Sequence, residues 1–109
     1  MIKTNFSNQK IILSGKKVIE LEAKALAKLS KELNNDFAEA VTAILECKGK
    51  IIISGIGKSG HIAKKITSTL TSSGNQAVFL HPTEALHGDL GLINSEDIII
   101  LLSYSGKTE

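Results

Sequence analysis

Residues 50–61 read KIIISGIGKSGH. The isoleucines at 51–53 form a β-branched run that is apolar at every position, as in a short strand buried on both faces. Gly55, Gly57 and Gly60 follow with the spacing G-x-G-x-x-G, and helical composition begins after them. A strand that turns straight into a helix leaves free amides and the positive end of the helix dipole at its carboxyl end. Glycines let the backbone come close to a ligand there. The segment Ser54 to Gly60 is therefore expected to hold an anion.

Toward the C-terminus, HIAKKITSTLTSSG reads as a helix ending at Gly74, and QAVFL as a second buried strand. HPTEALHGDLGLIN is a polar connection with a helical turn near Glu84 to Leu86, and DIIILLS is a third buried strand. Strand, helix, strand, connection, strand is the signature of an α/β fold with a parallel, doubly wound sheet. Three strands leave two open edges and one poorly covered face. The final turn, Ser103 to Thr108, should open a helix, yet none follows in this sequence. The sheet is thus expected to be incomplete, the first part of a larger domain, marginal alone or paired with copies of itself.

Toward the N-terminus, residues 1–15 are polar and weakly patterned. From Lys16, Val18, Leu21, Ala25 and Leu29 share a helical stripe. Asn34-Asn35-Asp36 breaks the run, and Asp36 with Glu39 resembles a capping box. A second helix carries Phe37, Val41, Ile44 and Leu45, with Cys47 as a small apolar filler near its end and Gly49 as its stop. The expected organisation is an N-terminal helical segment over 1–49, packing on an α/β domain over 50–109.

Composition narrows the function. The chain has 109 residues, 42% hydrophobic, enough for one packed domain. Aromatics make up 4% and the net charge of +2 forms no basic stripe, so no nucleic-acid partner is expected. All 13 basic residues are Lys, so a phosphate must be held by amides, hydroxyls and ammonium groups rather than guanidinium forks. The lone Cys47 fits a reducing compartment. No signal peptide or membrane-spanning run is present, so cytoplasm is expected and a membrane partner is not.

Two nucleotide readings compete for the glycine loop. A Walker A loop would need Gly at position 52, which is Ile. A dinucleotide site wants an acid at the end of strand two, where the chain reads Phe79-Leu80-His81-Pro82 with no acid before Glu84. The plainest alternative is a tight turn with no ligand. The second loop, SYSGKT, weighs against that. Parallel strands share one carboxyl edge, so both loops and the 81–91 connection converge. Together they offer Ser54, Ser59, Ser103, Ser105, Thr108 and lysine, a set suited to a small ligand with one phosphate and several hydroxyls. His61, His81 and His87 fall on or near the same edge. Each is by default a hydrogen-bonding surface residue. His81 and His87 flank one connection and could face one cleft as proton shuttles or metal ligands. A metal would need a third ligand, such as Glu84 or Asp89. Asp89 has the alternative of bracing the Gly88–Gly91 turn.

GIGKSGHIAKKI, SSGNQAVFLHPTEALHGDLGLI and LLSYSGKTE together resemble the sugar isomerase (SIS) fold, a flavodoxin-like sheet. More closely, the chain is similar to the arabinose-5-phosphate isomerase family of the KpsF/GutQ/KdsD type. The combination of GKSGH with HP-x-EA-x-HGDLG is specific to it. The resemblance implies interconversion of D-ribulose 5-phosphate and D-arabinose 5-phosphate for Kdo, lipopolysaccharide or capsule biosynthesis, by a homo-oligomer, typically a tetramer with sites between subunits. It implies a catalytic role for Lys58 and substrate contacts at Gly74, Asn75, His81, His87 and, on the serine loop, Ser103, Ser105 and Thr108; the anion-binding turn read above adds Ser54, Gly55, Gly57 and Ser59 as expected substrate contacts, and His87 is expected to be catalytic as well. No cofactor is implied as required; a zinc ion at His81 is the one metal suggested. Lys107 stands where the family commonly has Glu, and the family's essential carboxylate on this loop would align just past Glu109.

Such an isomerisation passes through an enediolate. It needs a base, a stabiliser for the developing oxyanion and a phosphate anchor. Lys58 would stabilise charge, and His87, with His81, would orient hydroxyls or assist ring opening. The base is expected outside these residues, which leaves the chain alone inactive or nearly so. The rival readings are a non-catalytic SIS module that senses phosphosugars and, more remotely, a nucleotide-binding dehydrogenase.

Overall fold

The computed structural model describes residues 7–86 and 89–106, with side chains at 85–90 left aside. The chain forms two units, residues 1–38 and 39–109. In the first, helix α1 runs Asn8–Glu32. It starts well before Lys16, correcting the expectation of an unpatterned lead-in. Ser7 caps it, accepting from the Lys10 N–H at 3.3 Å. Gly15 sits inside the helix, where its cost of about 1 kcal/mol relative to Ala is tolerated. Helix α2 spans Asn35–Leu45. Its cap is Asn34, whose Oδ1 accepts from the Asp36 N–H at 2.9 Å, so Asp36 lies inside the helix rather than capping it. No helix among the described residues is long and apolar enough to cross a membrane.

The second unit is built on a three-stranded, all-parallel sheet. Strands β1 (Ile51–Gly55), β2 (Ala77–Phe79) and β3 (Ile98–Leu102) lie in the order β2-β1-β3. Helix α3 (Lys58–Ser72) connects β1 to β2; a short helix α4 (Pro82–Leu86) and a 3₁₀ turn (Asp89–Leu92) connect β2 to β3. β1 lies in the middle and is buried at all five positions. Ile51 pairs with Ala77 and Ile98, and Ile53 with Phe79 and Ile100, so these side chains share one face. Ala63, Ile66 and Leu70 of α3, with Ile44 of α2 and Cys47, close that face into the core. Each fully buried isoleucine there contributes about 1.5–3 kcal/mol.

The other face is only partly covered. Ile52 and Ser54 are buried on the central strand, but Val78, Ile99 and Leu101 are 40%, 47% and 74% exposed. Burial on both faces therefore holds for β1 and not for β2 or β3. The reason is position: β2 and β3 are edge strands with one neighbour each.

A polar lock joins β1 to β3 at the amino edge of the sheet. The Lys50 N–H donates to Asp97 Oδ1 at 2.9 Å, and Lys50 Nζ donates to Oδ2 at 2.7 Å. The Asn94 N–H also donates to Oδ2, at 2.7 Å. The Lys50 hydrogen bond, helped by those backbone donors, lowers the Asp97 carboxyl from 3.8 to about 2. Gly49 belongs to this lock and does not stop a helix, since α2 ends at Leu45. A Cβ on Gly49 would collide with Asp97 Oδ1 and stand 2.8 Å from the Glu96 carbonyl oxygen. Cys47 fills the adjoining space, its thiol 3.7 Å from the Lys50 carbonyl oxygen and 3.6 Å from that of Glu96.

Candidate functional site

At the opposite, carboxyl edge, the loops after β1 and β3 enclose a cleft of about 500 Å³. Ser54, Gly55 and Ser59 form one wall, Ser103, Ser105 and Gly106 another, with Pro82 of α4 beside them. Ser54 is 5% exposed and Ser59 is half-buried, so the first wall is firmly held. Ser103 Oγ accepts from the Gly106 N–H at 2.9 Å, and Gly106 takes φ of 72°, which closes the second loop into a turn. The two convergent loops read from the sequence thus do meet.

The three glycines of the first loop have separate tasks. A Cβ on Gly60 would lie 2.7 Å from the Gly55 carbonyl oxygen, and a Cβ on Gly55 would lie 2.8 Å from the Ser59 carbonyl oxygen. These two glycines let the first turn of α3 press on the end of β1. The close approach expected toward a ligand is here an approach of backbone to backbone. Gly57 is different: its φ is 63° and nothing stands within 4 Å of where a side chain would go. It turns the chain and leaves the first amides of α3 without a capping side chain.

Lys58 is the first residue of α3, exposed and outside the cleft lining. His61 lies in the first turn of α3, also exposed. Gly74 and Asn75 are not brought to the cleft within this chain. They end α3 in a Schellman motif, with Gly74 at φ of 93°, the Gly74 N–H on Thr71 O at 3.1 Å and the Asn75 N–H on Leu70 O at 3.0 Å. That places them at the amino edge of the sheet, about 22 Å along α3 from the glycine loop. His87, Lys107, Thr108 and Glu109 lie outside the described residues. No group of three metal-ligating side chains occurs among the described residues.

His81 stands just past β2, where the Leu80 N–H extends the pairing to Ile53 O at 3.0 Å. Its Nδ1 accepts from the Thr83 N–H at 3.0 Å. Its ring meets Phe79 edge-on, with centroids 6.5 Å apart and planes at 72°. Lys64 Nζ lies 5.1 Å from the centre of the same Phe79 ring. The sequence reading missed this stack and the apolar side of the cleft, formed by Ile56, Leu101 and Tyr104. Phe79 ends β2 and His81 lies two residues past it, a spacing that was legible in the sequence. Tyr104, the chain's one tyrosine, sits fully exposed inside the serine loop.

Comparison with known proteins adds a frame to this geometry. A family model described as the SIS domain matches residues 44–109. Arabinose 5-phosphate isomerase GutQ of Escherichia coli K12 is 48% identical over 99 residues, covering 91% of this chain and 31% of the relative. Arabinose 5-phosphate isomerase KdsD of Yersinia pestis is 47% identical over 95 residues, covering 87% and 29%. Among solved structures, an E. coli CFT073 protein in complex with arabinose 5-phosphate superposes with a TM-score of 0.88 at 38% identity, covering 94% of this chain and 55% of that one. A candidate phosphosugar isomerase of Bacteroides fragilis, involved in capsule formation, gives 0.84 at 42% identity, covering 91% and 53%. The chain spans about a third of the length of these curated relatives and about half that of the solved structures.

Proposed function

The chain belongs to the SIS-domain family, and on that premise we propose that its cleft binds a phosphosugar for aldose–ketose isomerisation. The substrate pair is D-arabinose 5-phosphate and D-ribulose 5-phosphate. The supporting observation is the meeting of two serine-bearing loops and a glycine-opened helix start at one sheet edge, in a chain similar to a protein solved with arabinose 5-phosphate. The free amides of α3 and the hydroxyls of Ser54, Ser59, Ser103 and Ser105 supply donors to a phosphate and to sugar hydroxyls. Lys58, at the mouth of the loop, supplies a mobile positive charge to the phosphate or to the oxyanion of the enediolate. His87 is proposed as the histidine that acts on substrate hydroxyls. A Kdo or capsule pathway, a cytoplasmic location and a homo-oligomer are part of the same proposal.

Among the described residues no carboxylate lines the cleft, so these walls bind and polarise but do not supply the carboxylate base that moves the proton. A second reading, which Lys107 supports by standing where the isomerases commonly have Glu, is a module that senses phosphosugars without turning them over. Thermal shift with arabinose 5-phosphate, NAD and ATP tests the binding. A ligand at 100 times its dissociation constant adds about 2.7 kcal/mol of stability, and only the phosphosugar is expected to do so. Stabilisation by NAD or ATP and not by arabinose 5-phosphate overturns the proposal. A coupled assay separates the two readings: turnover by the chain or by any longer polypeptide that contains it supports the isomerase, and tight binding without turnover in both supports the sensor.

A further inference from the structure

The cleft has an apolar side that a phosphate anchor does not explain. Ile56, Leu101 and Tyr104 line it, at 43%, 74% and 101% exposure, alongside the serine hydroxyls. Large apolar groups left open inside a concave site gain when a ligand covers them. Tyr104 is the only aromatic ring among the described lining residues. It is also well held. Ser103 Oγ accepts from the Gly106 N–H at 2.9 Å and Gly106 has φ of 72°, so Tyr104 is a middle residue of a closed turn. With its backbone fixed there, a tyrosine has only about two side-chain torsions left to order on binding.

A pentose phosphate offers two kinds of surface. Its oxygens take hydrogen bonds, which the serines and the amides of α3 supply. Its carbon chain carries C–H groups that neighbouring oxygens make electropositive, and these suit the electron-rich face of an aromatic ring. Inorganic phosphate has no such surface. We propose that Tyr104 determines which phosphate compound the cleft takes: its ring face covers the C–H groups of the sugar, so that a phosphosugar binds more tightly than bare phosphate. This role rests on the phosphosugar reading of the cleft.

Tyr104 is the chain's one tyrosine and there is no Trp, so tyrosine fluorescence reports this position alone. Without ligand, acrylamide should quench it freely. Saturating arabinose 5-phosphate should shield it, and saturating inorganic phosphate should not. Shielding that grows with protein concentration in the absence of sugar would assign the ring to a contact between copies of the chain and overturn the proposal. Titration calorimetry completes the test. Tyr104→Ala should bind arabinose 5-phosphate about three- to tenfold more weakly and inorganic phosphate within about twofold of the parent. Tyr104→Phe keeps the ring and should bind both within about twofold. Tyr104 is exposed, so neither variant is expected to lose stability. An equal loss in the Phe and Ala variants would put the contact in the hydroxyl, and an equal loss for both ligands would put the effect in the loop; either result overturns the proposal. If the parent binds no arabinose 5-phosphate, the phosphosugar reading and the role of Tyr104 fall together. If it binds and Tyr104 stays open to acrylamide, only the role of Tyr104 falls.

Discussion

Gly60 leaves no room for a side chain, with the Gly55 carbonyl oxygen 2.7 Å from where a Cβ would sit. Gly60→Ala therefore has to push α3 off β1, a shift of overpacking type that costs about 1–3 kcal/mol. Gly57→Ala meets no neighbour but must hold φ of 63° with ψ of −128°, outside the left-handed helical region, which costs about 1–3 kcal/mol for a residue with a Cβ. Chemical denaturation of both variants checks this, and arabinose 5-phosphate binding tells them apart. Gly60→Ala, which moves the helix start, should lose binding; Gly57→Ala should lose mainly stability. Equal binding in both would remove the separation of tasks. The glycine spacing was plain in the sequence. Which glycine met backbone and which met open space was not, because both situations demand the same residue.

At the scale of elements, the sheet has one closed and one open face. Ile53 is fully buried, whereas Leu101 is 74% exposed although both read as core residues of apolar strands. Ile53→Ala is expected to cost about 2–5 kcal/mol. Leu101→Lys should change stability by less than about 0.5 kcal/mol, the range of surface substitutions. Urea unfolding distinguishes them, and a loss at Leu101 as large as at Ile53 would mean that its face is covered. Strand type and order of elements were legible from the β-branched runs. The faces were not, because an apolar edge strand looks the same as an apolar central one until its neighbours are placed. The start of α1 at Asn8 was missed for a related reason: Ser7 caps the helix, and a cap is weak against the apparent break at Gly15.

At the scale of the whole molecule, the candidate cleft and a polar lock lie at opposite edges of the sheet. The cleft lies at the carboxyl edge, and the Lys50–Asp97 lock ties β1 to β3 at the amino edge. Asp97 is held at about 2 against 3.8 when free, so its contribution is complete above pH 4 or so and is lost as pH falls from about 4 to about 2. Asp97→Asn should melt lower than the parent at neutral pH, and the two should converge as pH falls through that window. Its affinity for arabinose 5-phosphate at neutral pH should be unchanged. A gap in melting temperature that persists below pH 2 would assign the lock's effect to something other than this carboxylate. The sequence by itself determined the alternation of elements, the parallel sheet and the meeting of two loops at one edge, since these follow from local periodicity and the shared direction of parallel strands. Only the tertiary structure decided that Gly55 and Gly60 serve helix packing, that Gly74 and Asn75 lie away from the cleft, that Gly49 and Asp97 form a lock, and that Thr83 holds His81 by Nδ1. Those depend on distances between residues whose spacing in the chain carries no trace of them.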